Sequence, residues 1–268
     1  MVNFQYKDAY GYADLLEIMR ILRAPGGCPW DQAQTHASLR RNLLEEACEA
    51  AEAIDREDRA ALCEELGDVL LQVVFHAQLE QEQGGFTMDD VIDGICKKLI
   101  FRHPHVFGAG AEAETVHTAD AVLPLWEARK RQEKGLSSTA DAVDAVSRML
   151  PALWRAEKIE KKVSQAGFDW ASPAGALDKL SEEVEELRQA VEAGAAPDAP
   201  HGVREELGDV LLAAAKVAQI TGVDPEEALH GACDKFAGRF RRVEAMAGDR
   251  PLNQRTEAEI IDLWTRAK

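Results

Sequence analysis

Glu46 and Glu49 stand three residues apart, as do Glu65 and Asp68, and the pattern returns as Glu183 with Glu186 and Glu206 with Asp209. A helix brings side chains back to one side every three or four residues, so each pair projects together. In the first set each carboxylate is followed by an apolar residue (Ala47, Ala50, Leu66, Val69). The expectation is therefore a pair flanking a core-facing stripe, about 100° round the helix from it. Two such helices packed antiparallel aim four carboxylates at one point. Four negative charges so close do not all stay ionised without a cation between them. Oxygen-only ligands favour Mg2+, with Mn2+ as a substitute, over zinc. The competing reading is an exposed acidic face balanced by bases at i+4. The i+4 positions from Glu46, Glu65 and Asp68 are Ala50, Val69 and Gln72, which supply none. Di-iron bundles need Glu-x-x-His, absent from these helices. His76 shares a face with Asp68, but at ~1.5 Å rise per residue it lies about 12 Å away, as a packed or surface histidine.

The elements that must hold these residues read as helices throughout. One spans 12–23, with Leu15, Ile18, Met19 and Leu22 along one side. The first carboxylate helix covers about Ser38 to Asp55, with the stripe Leu39, Leu43, Ala47, Ala50 and Ile54. Its partner runs to about Gln83, with Leu62, Leu66, Val69, Val73 and Ala77. Thr87 reads as the N-cap of a helix reaching Arg102. A Gly/Ala-rich loop follows His103-Pro104-His105, then a helix from Asp120 to Lys134 and a linker from Gly135 to Thr139. The remainder repeats that order, with helices over about Ala142–Ser164, Pro173–Ala193, Val203–Thr221, a helix opened by Asp224-Pro225, and Thr256–Ala267.

The landmarks of the first half are Trp30-Asp31, the first quartet, Lys98/Arg102 and Leu125-Trp126. Those of the second half are Asp169-Trp170, the second quartet, Lys235/Arg239 and Leu263-Trp264. Two matched series are not the product of chance. The expected fold is all-α, two tandem helical-bundle domains at 1–135 and 140–268.

At 268 residues the chain has room for two cores. Aromatic residues are few, and Ala, Leu and Glu favour helix over sheet. A net charge of −17 argues against a duplex nucleic-acid partner, which needs a basic surface. No apolar run approaches the ~20 residues of a membrane span. Met1 to Asp14 lack a basic segment followed by an apolar core, the pattern of a secretory signal. The five cysteines form no CxxC pair. Cys48, Cys63 and Cys96 fall in helical patterns, where thiols serve as small buried hydrophobes. A reducing, cytoplasmic compartment is expected.

Lys98 with Arg102 and Lys235 with Arg239 sit four apart. Beside a metal that attracts phosphate they become phosphate clamps, with surface solubility as the alternative. Of the tryptophans, Trp264 is the one offered as a contact to a base. Cys28 has no nearby histidine, and no Walker loop or dinucleotide fingerprint occurs.

The chain resembles the MazG family of nucleoside triphosphate pyrophosphohydrolases. The resemblance rests on both quartets, on Cys28-Pro29-Trp30-Asp31 and on Arg102-His103-Pro104-His105-Val106-Phe107. It extends to Gly167-Phe168-Asp169-Trp170 and Lys235-Phe236-x-x-Arg239-Phe240, covering essentially the whole chain. The carboxylate motif is shared with all-α dimeric dUTPases and phosphoribosyl-ATP pyrophosphohydrolases, while the flanking strings favour MazG. The resemblance implies the all-α pyrophosphohydrolase fold, a homodimer, and Mg2+-dependent hydrolysis of (deoxy)nucleoside triphosphates to monophosphate and pyrophosphate. Broad base tolerance and a role in clearing the nucleotide pool are expected with it. It implies metal ligation by Glu183, Glu186, Glu206 and Asp209, and by Glu46, Glu49, Glu65 and Asp68 in the first copy. Water attacks the α-phosphorus, with Glu182 or Glu183 as the catalytic carboxylate, and Lys235 and Arg239 grip the leaving phosphates. Lys98 and Arg102 are their first-copy counterparts. Lys179, one turn before Glu183 where the first copy has Asn42, tilts the assignment toward the second half. The alternatives are a nucleotide- or metal-sensing adaptor without turnover, and a narrow enzyme for one nucleotide such as dUTP.

Overall fold

The computed structural model describes residues 4–108, 118–194, 196–248 and 250–268. The described residues form helices without strands and divide into two compact units, Met1–Arg129 and Lys130–Lys268. Most of the Gly/Ala-rich loop expected after His105 lies outside them.

The first unit contains α1 (Tyr12–Arg23), α2 (Pro29–Ala33), α3 (His36–Asp55), α4 (Arg59–Glu82), α5 (Met88–Arg102) and α6 (Pro104–Phe107). α7 (Ala119–Glu133) follows and runs across the division. In this unit α3 and α4 make the most extensive pairing. Thr35 caps α3 through the Ser38 amide. Asp58 caps α4 by accepting from the Ala60 and Ala61 amides at 3.0 and 3.1 Å, a device worth about 1 kcal/mol. The three-residue turn between them, Arg56 to Asp58, makes the pair antiparallel. Met19, Leu39, Val74, Phe75 and Leu79 form the buried core, with Leu15, Leu16, Leu71 and Met88 against it.

The second unit contains α8 (Thr139–Asp144), α9 (Ala152–Gln165), α10 (Pro173–Glu192), α11 (Val203–Thr221), α12 (Pro225–Ala247) and α13 (Glu257–Arg266). Here α10 and α11 make the main pairing and α9 packs on α11. Gly202 starts α11 where the chain closes on itself. A Cβ there would stand 2.5 Å from the Ala196 carbonyl oxygen and 2.7 Å from that of Ala199, so only glycine fits. Val243, Ala247, Leu263 and Ala267 pack α12 against α13.

Four expectations are corrected. The single helix expected from Ala142 to Ser164 is two, α8 and α9, interrupted before Pro151. Proline lacks the amide a helix needs and pushes its predecessor toward extended backbone. Thr139, expected as linker, is already helical, capped by Ser138. The orientation of the carboxylate helices also differs. Ala47 and Leu66 are exposed, as is Ile54, whereas Leu39, Ala50 and Ala53 are the buried residues of α3. In α10 the buried face is Ala176, Glu183 and Ala190, so the carboxylate lies on the inward face itself and not beside it. Finally, Cys48, Cys63 and Cys96 are exposed, not buried hydrophobes.

Candidate active site

The antiparallel helix pairs gather the carboxylates as their spacing requires. In the first unit Glu46, Glu49 and Glu65 each offer an oxygen within 4.8 Å of the others; in the second, Glu183, Glu186 and Glu206 do the same. Burial raises the Glu46 carboxyl, and the charges of Asp68, Glu49 and Glu65 add to it. Burial likewise raises Glu65, followed by Glu49, and raises Glu186, followed by its hydrogen bond with Glu183. Carboxylates whose pKa values are raised by burial and further by one another form a site that a cation relieves. Asp68 and Asp209 stand outside the three-oxygen groups. Asp68 is close enough for its charge to act on Glu46, and Asp209 lines a cavity beside Glu183.

The two sites differ in burial and in counter-charge. Glu183 and Glu206 are buried, at 8% and 5% exposure, while Glu46 and Glu65 are half-buried and Glu49 exposed. Lys179 reaches across one helical turn to Glu183 at 2.8 Å and to Glu182 at 2.9 Å. Those two carboxylates hold the ammonium pKa well above its usual value. His201, just before α11, brings Nδ1 to 3.5 Å from Glu206, a neighbour that the sequence reading did not identify.

The remaining expected residues fall as follows. Arg102 is buried, its guanidinium 5.1 Å from the centre of the Trp126 ring, and Lys98 is exposed. Arg239 lies 3.8 Å over the Trp264 ring and donates to the Trp264 carbonyl at 2.9 Å through Nε. Phe236 packs on the same indole at 5.1 Å. Lys235 is exposed. Both halves thus stack the arginine of their basic pair on a tryptophan near the end of the repeat. His36 and His76 stack, with Nδ1 atoms 2.7 Å apart, so His76 is a packed histidine.

Beside the second carboxylate group lies a cavity of about 460 Å³, walled by Phe168, Trp170, Ala176, Lys179, Leu212 and Ala213 among others. Glu160, Asp169 and Lys216 also line it. Lys216 is 5% exposed. Its ammonium sits 2.5 Å from Asp169, 2.8 Å from Ser164 Oγ, 2.9 Å from Gln219 Oε1 and 3.6 Å from Glu160. The hydrogen bond from Lys216 lowers the Asp169 carboxyl. Lys216 went unnoticed in the sequence because a lone lysine among alanines reads as a solvated position. The signal that marks it is its mismatch with the other repeat, where Phe75 stands.

Fold and site together define an all-α tandem-repeat protein with one carboxylate cluster per repeat, suited to a metal ion. The MazG nucleotide pyrophosphohydrolase domain matches the chain twice, at residues 34–107 and 171–243. The chain is 40% identical over 259 residues to the nucleoside triphosphate pyrophosphohydrolase/pyrophosphatase MazG of Thermotoga maritima, covering 96% of this chain and 95% of that protein. It is 43% identical over 252 residues to the nucleoside triphosphate pyrophosphohydrolase of Escherichia coli, covering 94% and 92%. It is also 42% identical over 261 residues to the uncharacterized protein YabN of Bacillus subtilis, of which it spans 51%. The chain belongs to the MazG nucleotide pyrophosphohydrolase family.

Proposed function

We propose that this protein is a Mg2+-dependent nucleoside triphosphate pyrophosphohydrolase that yields nucleoside monophosphate and pyrophosphate, with its working site in the second unit. The observation that carries this reading is the oxygen cluster of Glu183, Glu186 and Glu206, set beside Lys179 and an open cavity in a chain of this family. The donor set fits the ion. Three carboxylates converge, two of them buried, and all-oxygen coordination is what Mg2+ takes. Asp209 completes the proposed ligands. Bound there, Mg2+ would screen the triphosphate and neutralise the charge that develops on the departing pyrophosphate.

The chain's own groups do the rest. Lys179 holds Glu183 in place and presents a cation to phosphate oxygens. Glu182 is exposed and shares the Lys179 ammonium with Glu183. It can therefore orient the attacking water and accept its proton. Lys235 is the proposed contact for the leaving phosphates. Arg239 has Nε and Nη2 engaged with the Trp264 carbonyl, and its Nη1 is the proposed donor that joins it. The same occupation argues against Trp264 offering its covered face to a base. The first unit's Glu46, Glu49, Glu65 and Asp68, with Lys98 and Arg102, form the architectural copy.

Domains at 1–135 and 140–268, a cytoplasmic setting and clearance of the nucleotide pool complete the proposal. No described helix is long and apolar enough to cross a membrane. A homodimer is supported by the outward apolar faces of the carboxylate helices: Leu66 and Leu70 in the first unit, Val184, Leu207 and Leu211 in the second are exposed. Turnover tests the assignment to one unit. Glu183→Gln is expected to abolish it with the fold intact, while Glu46→Gln retains it. Near-normal activity in folded Glu183→Gln contradicts the reading.

A further inference from the structure

The first unit brings together a set of nitrogen and oxygen donors that the second lacks. Aligning Glu46 with Glu183 puts His36 opposite Pro173, and aligning Glu65 with Glu206 puts His76 opposite Val217 and Glu80 opposite Thr221. The scaffold therefore folds without these three side chains, yet in the first unit they meet. His36 opens α3, while His76 and Glu80 stand one turn apart on one face of α4. The two imidazole planes are parallel to within 3°, with their centres 5.0 Å apart and their Nδ1 atoms 2.7 Å apart. Those nitrogens thus lie between the ring centres and face each other from α3 to α4. At the other nitrogen of His36, Glu80 Oε1 is 2.9 Å from Nε2.

Three features set this group apart from an ordinary packing contact. A bond between two Nδ1 atoms uses one proton and one lone pair, and it leaves the His36 ring incompletely satisfied. Its Nε2 atom is buried without a hydrogen bond, because Glu80 lies off the line of that N–H. Burial, followed by the neighbouring His36, lowers the His76 pKa, which favours the neutral imidazole, the form that ligates a metal. Finally, no lysine or arginine pairs with Glu80 among the described residues, so its charge is left to balance a cation nearby. Gly85 makes room for that carboxylate, since a Cβ there would collide with Glu80 Oε2.

We propose that His36 and His76 bind a late first-row cation of the Zn2+ type, each through Nδ1, with water completing the coordination and Glu80 as the positioning residue that takes the His36 Nε2–H. With the ion bound, each ring carries its proton at Nε2 and directs its Nδ1 lone pair inward. Two Zn–N bonds of about 2.0–2.1 Å at a tetrahedral angle put the nitrogens roughly 3.3 Å apart. From their present 2.7 Å the rings therefore part by about 0.6 Å. His36 can give that much, because it stands in the first turn of α3 with its side chain 42% exposed. The same exposure admits the water. Imidazole donors suit Zn2+, Ni2+ and Cu2+, whereas the all-carboxylate groups suit Mg2+. His76 is eight residues along α4 from Asp68, about 12 Å, so the nitrogen site is separate from the carboxylate group. The ion ties the start of α3 to the later turns of α4 and stabilises the first unit by mass action.

The test is calorimetric titration of the full chain with Zn2+ in excess Mg2+, paired with the electron spin resonance spectrum of the protein loaded with Cu2+. Wild type is expected to bind Zn2+ at a site that Mg2+ does not displace, and its copper spectrum to show splitting from two imidazole nitrogens. Glu80→Gln keeps both ligands and is expected to weaken Zn2+ about 10–100-fold, the loss that follows removal of an outer partner of a ligating histidine. Both nitrogens should remain in its copper spectrum. His76→Gln and His36→Gln each remove a ligand, and are expected to weaken Zn2+ by more than that and to leave a single nitrogen. Should His76→Gln misfold, His36→Gln, at the more exposed ring, carries the test alone. Unchanged Zn2+ affinity in the folded histidine variants, a copper spectrum of oxygen donors only, or a wild type that binds no Zn2+ overturns the proposal. Unchanged affinity in Glu80→Gln overturns its positioning role.

Discussion

Lys216→Met replaces a buried ammonium by an apolar chain of similar length and leaves its partners behind. Lys216 is 5% exposed, with Asp169 at 2.5 Å, Ser164 at 2.8 Å and Gln219 at 2.9 Å. Removing one member of a fully buried ion pair costs about 3–5 kcal/mol. Here water reaches the carboxylates, whose side chains are 33% and 19% exposed in Asp169 and Glu160. The expected loss is therefore nearer about 2–3 kcal/mol. For a unit of this size that corresponds to roughly 6–12 °C in the melting temperature. Urea unfolding followed by tryptophan fluorescence reads it, since Trp154, Trp170 and Trp264 all lie in the second unit. Lys235→Met, which removes an exposed cation, is the control and should shift the midpoint little. A Lys216→Met midpoint within about 0.5 kcal/mol of wild type, the range of an ordinary surface change, refutes the account of a buried charge anchoring the 167–170 segment.

Asp141 accepts hydrogen bonds from Ser137 and Ser138, chiefly the Ser137 hydroxyl, which lower its carboxyl to about 2 from 3.8. A depressed folded pKa contributes stability that is fully present above 3.8 and lost as pH falls toward about 2. Asp141→Asn should reduce acid sensitivity in that window, read by unfolding midpoints against pH. Leu207→Glu, on the exposed apolar face of α11, should convert a dimer to monomer in sedimentation, with the helical spectrum unchanged. Glu206→Gln should weaken Mn2+ binding, measured by titration, by more than the roughly 10–100-fold that loss of an outer contact to a metal ligand costs.

The carboxylate groups were legible because spacing and repetition point the same way, and the helix caps Thr87 and Asp224 mark starts that the structure keeps. Their orientation was not. α3 has apolar residues on two faces, and periodicity cannot say which face is covered by its own chain. Ala47 and Leu66 turn outward, while Leu39 and Ala50 turn in. The break before Pro151 was readable from one residue and was overridden by a long apolar period. The cavity is a matter of missing volume, which no motif records. Only the comparison of Ala176 with Leu39 and of Lys216 with Phe75 across the repeats exposes it, and Lys216 meets Asp169 through tertiary packing of α9, α11 and the loop between α9 and α10.

The central claim, water attack at the α-phosphorus of a nucleoside triphosphate, is tested most directly by turnover in 18O-labelled water with Mg2+, separating products by ion exchange and weighing each by mass spectrometry. The account predicts nucleoside monophosphate carrying the label, with unlabelled pyrophosphate, and loss of both in Glu183→Gln. Label in the pyrophosphate, or diphosphate with orthophosphate as products, would contradict it.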